Sequence, residues 1–261
     1  METIATVFGV GGGLLAAPPP RGYGLLTAGR AELKYCVPGP VSESVLALAR
    51  RHLTPDPLAL GPCQRVTSLY LDSAHLTFLR WHRERAVDRF KLRIRRYGEQ
   101  PAAILYAEVK RKTGSVVRKR RAAFPAQALP AVLQGPGLAE GDGSRHDSAD
   151  LREFVRRRSQ SGATPRVLVT CLRESLRDPA DGTAVTVDRA LRYQLTCRGD
   201  LIGAAGAWRA MPLPGSAGGG ALVEVKYAVH PPAWMDALMV QLAPWRVSFS
   251  KYAAAMHEAV S

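Results

Sequence analysis

The stretch that decides the fold lies at residues 90–98 and reads FKLRIRRYG. Apolar and basic residues alternate along it, and successive residues of a β-strand point to opposite faces of a sheet. One face therefore carries the bases Lys91, Arg93 and Arg95. The other face carries the apolar residues Phe90, Leu92 and Ile94. This segment predicts a strand with one strongly basic face and one face packed against a core.

Basic residues continue onto the strands expected next along the chain. Residues 89–121 contain 12 Lys and Arg and two Glu, yet the apolar alternation persists through them. A solvated outer face over an ordinary core would explain the pattern, because antiparallel sheets commonly face water on one side. Like charges directly across neighbouring strands are destabilising, however, so this density of bases favours a compensating anion. A closed barrel with its charged faces turned inward would provide a place for that anion.

Three separate segments carry a Glu, an apolar residue and a Lys in that order. They are Glu32-Leu33-Lys34, Glu108-Val109-Lys110 and Glu224-Val225-Lys226. On a strand, the Glu and the Lys of each segment share a face. Carboxylates repel phosphate, but inside a basic groove they can hold Mg²⁺ or Mn²⁺, since these hard cations bridge protein oxygens to phosphate oxygens. The three glutamates are therefore the candidate metal ligands.

The composition describes a folded, strongly basic protein. The chain has 261 residues, with 36 Lys and Arg against 22 Asp and Glu, a net charge of +14 and a pI near 10.2. This excess favours a polyanionic partner, which could be nucleic acid, anionic lipid or polyphosphate. Hydrophobic residues make up 46% of the chain, which excludes a disordered basic tail and suits one large domain.

The cysteines and the amino terminus indicate where the protein resides. Four cysteines are spread along the chain without metal-ligand spacing, so we expect reduced thiols. No apolar run reaches the roughly 18 residues that cross a bilayer. The first 20 residues resemble a signal sequence but contain Glu2 and no Lys or Arg, which argues against export. We therefore expect a cytoplasmic protein without a membrane segment of its own, preceded by a flexible leader over 1–29.

Period-2 alternation predicts mostly strands. They are expected near 30–37, 65–72, 87–97, 103–112, 115–124, 164–177, 183–191, 193–198 and 221–229. Helical periodicity predicts helices near 43–53, capped by Ser42, near 148–158, capped by Ser148, and near 232–242 and 250–260. Several common catalytic motifs are absent, since the chain has no P-loop, no GxGxxG after a strand, no HExxH and no GxSxG.

Eight segments in order resemble the VTC domain. They read RAELKY (30–35), SLYLD (68–72), FKLRIRRYG (90–98), AEVKRKT (107–113), VRKRRAAF (117–124), TVDRAL (186–191), VEVKY (223–227) and FSKY (249–252). The resemblance implies an α+β, mainly β fold over 30–261. It would be a closed, antiparallel, eight-stranded tunnel barrel with flanking helices, as in the triphosphate tunnel metalloenzymes of the CYTH-like superfamily.

The resemblance also implies the roles of particular residues. Eight bases would line the tunnel and grip phosphates: Lys34, Arg93, Arg95, Lys110, Lys119, Arg173, Lys226 and Lys251. Within that set, Lys34, Arg93, Arg95 and Lys226 would hold the nucleotide. Glu224 would be the main ligand of Mn²⁺ or Mg²⁺, and Glu108 would be a second, weaker ligand. Glu32 is a further candidate ligand because it lies in a Glu-apolar-Lys segment.

Two positions depart from the family pattern. Many relatives carry a base where this chain has Ala184, and another where it has Ser248, although Arg246 is close by. These departures bear on turnover more than on binding. Asp188 and Arg189, in the TVDRAL segment, are interpreted as an internal ion pair at a strand end rather than as catalytic groups.

The family resemblance implies a function. The first hypothesis is a metal-dependent polyphosphate polymerase, a phosphotransferase that moves the terminal phosphoryl group of ATP onto a growing chain. An inorganic triphosphatase or polyphosphatase and a non-catalytic polyphosphate-binding module are the alternatives. Nucleic acid is not the expected partner, because the basic segment lacks a run of aromatic stacking residues. Eukaryotic relatives sit in membrane complexes, so a membrane-protein partner stays open, as does the oligomeric state.

Overall fold

The computed structural model describes residues 26–27, 31–57, 59, 61–99, 102–135, 149–215, 219–228 and 230–260. Its strands are β1 (Leu26–Thr27), β2 (Ala31–Val37), β3 (Thr54–Pro55), β4 (Gln64–Asp72), β5 (Asp88–Tyr97), β6 (Ile104–Thr113), β7 (Val116–Pro125), β8 (Thr164–Arg177), β9 (Ala184–Leu195), β10 (Arg209–Ala210) and β11 (Ala221–Tyr227). Its helices are α1 (Gly39–Ala49), α2 (Thr77–Arg83), α3 (Leu129–Gln134), α4 (Ala149–Ser161), α5 (Ala233–Gln241) and α6 (Lys251–Val260).

One mainly antiparallel sheet contains all the strands. Its order is β1-β7-β6-β5-β4-β8-β9-β11-β2, with β10 beside β9 and β3 beside β8. Eight of these strands are seven to 14 residues long, and the other three have two residues each. The alternation of apolar and polar residues thus located every long strand, and the mainly β, antiparallel class with flanking helices is confirmed.

The expected closed barrel is wrong, because the sheet curls into an open half-barrel. β2 ends the sheet on one side and β7 with β1 on the other, and no backbone pairing joins these two ends within the described residues. Closing a barrel requires the last strand to pair in register with the first. Here the edge of β7 that would face β2 is covered at Val116 and Val117 by the parallel pairing of β1.

Each outer stretch of the sheet packs under helices. The apolar residues of β4 to β7 form a core with α3 and α4, in which Leu92, Phe124 and Phe154 are fully buried. The apolar residues of β2, β9 and β11 form a second core with α1 and α5. These cores leave the opposite, concave face of the sheet, here called the inner face, for polar residues and for α6.

Helix α6 fills part of the inner face. Tyr252, Ala255 and Met256 of α6 are buried against β4, β8 and β9, in a core cluster that also contains Tyr70 and Val169. The Tyr70 and Tyr252 rings stack with centroids 5.4 Å apart. This packing brings the first turn of α6 onto the inner face beside the basic strands.

Two local expectations are corrected. Helix α1 begins at Gly39, and Ser42 lies inside it, donating to the Gly39 carbonyl at 2.7 Å instead of capping. Pro40 starts the helix earlier because its fixed φ suits a first helical turn. The strands expected at 183–191 and 193–198 are one strand, β9, with a bulge at Ala190, whose φ is 48°. The Ser148 cap lies outside the described residues.

Candidate functional site

Glu224 of β11 lies at the centre of the first of three ion-pair clusters on the inner face. Its carboxylate lies 3.5 Å from the Lys34 ammonium, 3.2 Å from Lys226 and 3.7 Å from Lys251. Burial alone would raise the pKa of Glu224, but these ammonium groups hold it well below its ordinary value. Glu224 is therefore a carboxylate at neutral pH.

Glu32 of β2 lies beside Glu224 and extends this cluster across the opening of the half-barrel. Its carboxylate is 3.4 Å from the Lys34 ammonium and 3.5 Å from Lys110 of β6. β2 and β6 are not neighbours in the sheet, so the second contact spans the gap between the two ends. Lys34 thus contacts both carboxylates, and its Nζ also donates to the Phe249 carbonyl at 3.2 Å.

A second cluster surrounds Glu108 of β6, which is 1% exposed. Its carboxylate accepts a hydrogen bond from Arg93 Nε at 2.6 Å and lies 2.9 Å from the Lys119 ammonium and 3.7 Å from Arg121. Burial opposes ionisation, but Arg93, Arg95 and Lys119 hold the pKa of Glu108 well below its ordinary value. These bases enclose the Glu108 carboxylate.

Aromatic hydroxyls and rings hold the arginines of this second cluster in place. Arg95 donates to Ser68 Oγ at 3.1 Å and to Tyr97 Oη at 3.2 Å. The Arg121 guanidinium lies 3.9 Å from the centroid of the Tyr106 ring, a cation–π contact. These contacts fix planar guanidinium groups, which can bind phosphate oxygens through two parallel hydrogen bonds.

Asp188 of β9 organises a third cluster and corrects an expectation. It is fully buried, accepts two hydrogen bonds from Arg173 at 2.6 and 2.7 Å, and accepts another from Lys251. The expected pairing of Asp188 with Arg189 is therefore wrong. Neighbouring residues of a strand face opposite sides, and Arg189 instead contacts Glu174 and Glu43.

The structure thus brings together all eight bases and all three glutamates named from the sequence. They come from β2, β5, β6, β7, β8, β11 and the start of α6. Their roles as phosphate or metal ligands stay predictions. Three further inner-face residues, Lys91, Arg121 and Asp188, belong to the same surface but were not among the named site residues. The period-2 alternation of β5 and β7 already placed Lys91 and Arg121 on this face, whereas Asp188 was expected to pair with Arg189.

The carboxylates differ in how well they suit a divalent cation. Among the described residues, no three His, Cys, Asp or Glu side chains lie close enough to form a metal site by themselves. Mg²⁺, however, commonly uses one or two carboxylates and completes its shell with substrate phosphates and water. Glu32 and Glu224 fit that pattern because they form a pair of carboxylates, each within 4 Å of the Lys34 ammonium. Glu108 fits less well, since its side chain is 1% exposed, against 12% for Glu32 and 10% for Glu224.

The two departures from the family pattern lie in different settings. Ala184 of β9 pairs with Lys226 of β11, so a base at this position would extend the Glu224 cluster. Ser248 is exposed in the segment that leads to α6. The Ala184 methyl group leaves the end of the inner face beside Lys226 without the additional charge that the family resemblance led us to expect.

Comparison with solved structures relates this fold to known ones. A candidate adenylate cyclase from Bacillus halodurans superposes with a TM-score of 0.50 at 11% identity, over 85% of this chain and 95% of that one. A candidate adenylate cyclase from Vibrio parahaemolyticus gives 0.47 at 12% identity, over 88% and 98%. A Hippeastrum protein, for which a dominant triphosphatase activity is described, gives 0.45 at 14% identity, over 87% and 95%. At these identities the first likeness shows the fold alone.

The curled antiparallel sheet is a fold that the chain shares with the first of these structures. The chain belongs to the VTC domain family, whose profile matches residues 29–260. No curated protein matches the sequence. Membership of this family supports a function that concerns polyphosphate or triphosphate. Separately, the described part of the chain contains no helix that is long and apolar enough to span a membrane.

Proposed function

We propose that the protein is a metal-dependent polyphosphate polymerase that transfers the terminal phosphoryl group of ATP to a growing polyphosphate chain. The observation that carries the proposal is the arrangement on the inner face. Bases from six strands and from α6 lie together on the inner face, and the paired carboxylates Glu32 and Glu224 lie among them. A concave basic surface of this kind, here also called the basic trough, suits a ligand that presents phosphate along its whole length.

Phosphoryl transfer needs mainly positioning and charge neutralisation from a protein. The guanidinium groups of Arg93, Arg95 and Arg173 would orient phosphate oxygens, and the lysines would act as compact charges. In the free protein most of these bases are held by carboxylates. They are therefore already positioned before a phosphate chain binds, and no covalent nucleophile is required.

Glu224, together with Glu32, would hold Mn²⁺ or Mg²⁺. When bound there, the cation would neutralise charge on the reacting phosphates and polarise a phosphoryl oxygen. Lys34 would then exchange its contacts with the two carboxylates for contacts with phosphate. The fit of Glu32 and Glu224 to a hard cation, described above, supports this part of the proposal.

The test is incubation of the purified chain with ATP and Mn²⁺, followed by gel analysis of the products. Long polyphosphate is the expected result, and Glu224→Gln should abolish it by weakening metal binding. Glu99→Gln is the matched control, because Glu99 is 72% exposed in its side chain and pairs with Arg65 at the surface. Release of phosphate from tripolyphosphate without chain formation would instead assign a triphosphatase.

A non-catalytic polyphosphate-binding module is the second candidate, and Ala184 favours it. The missing base beside Lys226 removes a charge from the end of the trough where the Glu224 cluster lies. A pure binder should keep or increase its affinity for tripolyphosphate in Glu224→Gln, since a repelling carboxylate is lost. Binding without turnover in the wild-type protein would support this candidate against the polymerase.

Nucleic acid is a competing polyanion with a different signature. Single-stranded RNA is commonly bound through aromatic platforms on which bases stack. On the inner face, Arg121 lies against the Tyr106 ring and close to Tyr97, so these rings are already occupied by a cation. We therefore expect short polyphosphate to displace labelled single-stranded RNA from the protein, and preferential binding of RNA would contradict the proposed function.

A further inference from the structure

Lys91 differs from the other lysines of the inner face in its partners. Lys34, Lys110, Lys119, Lys226 and Lys251 each lie within 4 Å of a carboxylate. Lys91 has no such carboxylate among the described residues. Its ammonium donates to Ser250 Oγ at 2.7 Å and lies 3.5 Å from His82 Nδ1 of α2. The contacts of a positive charge at Lys91 are therefore neutral groups, and no carboxylate among the described residues lies close enough to neutralise it.

The surroundings of Lys91 are strongly positive. In the sheet register Lys91 lies opposite Lys110, and Lys110 lies opposite Lys119, so three lysines form one row across β5, β6 and β7. Arg89 and Arg93 flank Lys91 on β5, and Lys34 approaches from β2. Like charges across neighbouring strands are destabilising. Lys110 and Lys119 each have a carboxylate within 4 Å, Glu32 and Glu108, so within the described part of the chain Lys91 is the member of this row that an anion does not offset.

The titration of Lys91 agrees with this geometry. Burial, and after it Lys34, Lys110, Arg89 and Arg93, lower the pKa of Lys91 to about 7. The same environment lowers the pKa of His82 to about 4, so the imidazole is neutral at neutral pH. An anion placed against this row would reverse the balance and stabilise the protonated amine.

The first turn of α6 completes the surroundings. Ser250 Oγ accepts a hydrogen bond from the Ala253 amide at 3.3 Å, as a capping residue does, and at the same time accepts one from Lys91. The amino-terminal end of a helix carries a partial positive charge. Lys91 is thus held next to a second feature that favours an anion.

We propose that Lys91, held by Ser250 beside the start of α6, is a further phosphate-binding residue that takes up one proton when a phosphate chain binds. The proton comes from solvent and converts the Lys91 amine to an ammonium group, which then pairs with a phosphate oxygen. The inference rests on the proposed function, because it needs a phosphate chain on the inner face.

The test is calorimetric titration of the full chain with tripolyphosphate, without metal, in buffers of different ionisation enthalpy at about pH 8, above the folded pKa of Lys91. The wild-type protein should take up close to one proton more than Lys91→Arg, whose guanidinium is always charged. Proton release by the ligand itself is common to both proteins and cancels in this difference. Lys112→Arg, a lysine outside this row, is the matched control and should behave as the wild type.

The pH dependence provides a second measurement. Above about pH 7 the wild-type affinity should fall with rising pH by up to about tenfold more per unit than that of Lys91→Arg, as linkage to one proton requires. Lys91→Met, which carries no charge at this position, should bind tripolyphosphate more weakly than Lys91→Arg and should also lose the extra proton uptake. Because two different variants are measured, a folding defect in one of them does not decide the test.

The possible failures are distinguishable. Tripolyphosphate binding with equal proton uptake in the wild type, Lys91→Arg and Lys91→Met would overturn the role of Lys91 and leave the proposed function intact. Absence of tripolyphosphate binding by the wild-type protein would overturn the proposed function and, with it, this inference.

Discussion

Buried carboxylates decide the behaviour of the inner face at the scale of single residues. Asp188, Glu108 and Glu224 each lie out of solvent and each contact two or more bases. An unpaired buried charge is costly, so each carboxylate and its bases depend on one another. Removing a carboxylate leaves several cations confronting each other, whereas removing a surface partner costs little.

Asp188→Asn should strongly destabilise the fold. Arg173 and Lys251 would lose their shared carboxylate in a fully buried position. We expect the free energy of unfolding to fall by about 3–5 kcal/mol, as when one partner of a buried ion pair is removed. Urea denaturation measures this loss, with Asp236→Asn as the control, because Asp236 is an exposed residue of α5. For the control we expect a loss of less than about 1 kcal/mol. A loss as small as that of the control would contradict the role of Asp188.

The same variant should show how this ion pair depends on pH. Burial opposes ionisation of Asp188, but Arg173 and Lys251 lower its pKa in the folded state. A lowered folded pKa gives stability that is present above the unfolded value of about 3.9 and is lost as pH falls towards the folded one. The difference in unfolding free energy between the wild type and Asp188→Asn should therefore be constant between about pH 5 and 8 and shrink below about pH 4.

Denaturation curves at several pH values measure this difference. The direction of the change with pH distinguishes Asp188 from Lys91. Folding favours the charged form of Asp188, whereas it disfavours the charged form of Lys91. A difference that stays constant far into the acid range would show that the lowered pKa of Asp188 is not linked to folding.

At the scale of elements, α2 and α6 are joined through Asp72 at the end of β4. The fully buried Asp72 carboxylate accepts hydrogen bonds from the amides of Phe78 and Leu79 in α2, at 2.9 and 3.0 Å, and from Tyr252 Oη of α6. Tyr252 directly follows Lys251, so this connection helps to set where the first turn of α6 lies on the inner face. α2 in turn places His82 beside Lys91.

Tyr252→Phe should therefore affect both stability and binding. It removes one hydrogen bond to a charged acceptor, worth about 1.5–3 kcal/mol in unfolding free energy. It should also weaken tripolyphosphate binding several-fold, because Ser250 and Lys251 are less firmly placed. Thermal denaturation and calorimetric titration measure the two effects, with Tyr227→Phe as a control outside this connection. Unchanged affinity in a destabilised Tyr252→Phe protein would show that α6 does not position the site.

At the scale of the whole molecule, the open half-barrel changes how a polymer can reach the bases. The gap between the two ends of the sheet is spanned by the ion pair between Lys110 and Glu32 rather than by backbone pairing. Both side chains are partly exposed, at 36% and 12%, and such pairs contribute about 1 kcal/mol or less. Separating them is inexpensive, so an internal segment of a long chain could enter from the side.

Long polyphosphate with both terminal phosphates blocked should consequently compete with tripolyphosphate as well as the unblocked polymer does. A closed tunnel would instead require a free end to thread. Competition measured with a labelled tripolyphosphate distinguishes the two. Binding that depends on a free end would indicate that the opening is too narrow for a phosphate chain.

The net charge of +14 gives a further expectation at this scale. A basic trough attracts a polyanion over a distance comparable to the Debye length, about 10 Å at 0.1 M salt. Raising salt from about 0.05 M to about 0.5 M should slow tripolyphosphate association strongly and change dissociation much less. Stopped-flow kinetics at several salt concentrations measures both rates, and an association rate independent of salt would contradict electrostatic attraction.

The sequence by itself determined where the long strands lie, their two faces and most of the residues of the inner face. Alternation at period two is a local property, so β5 with Lys91, Arg93 and Arg95 could be located from residues 90–98 alone. The helices were less predictable, because α2 is held by hydrogen bonds from its amides to Asp72 of β4 and α1 begins at Gly39, before the apolar stripe that predicted it.

Only the tertiary structure decided which bases share a carboxylate, and whether the sheet closes. Asp188 pairs with Arg173 and Lys251, from a neighbouring strand and a distant helix, and not with its neighbour in sequence. Closure depends on pairing the first and last strands, which no local pattern encodes, and β1 covers the edge that closure requires. The face on which a side chain lies follows from the geometry of a single strand. The residue with which it forms an ion pair follows from how several strands and helices pack together.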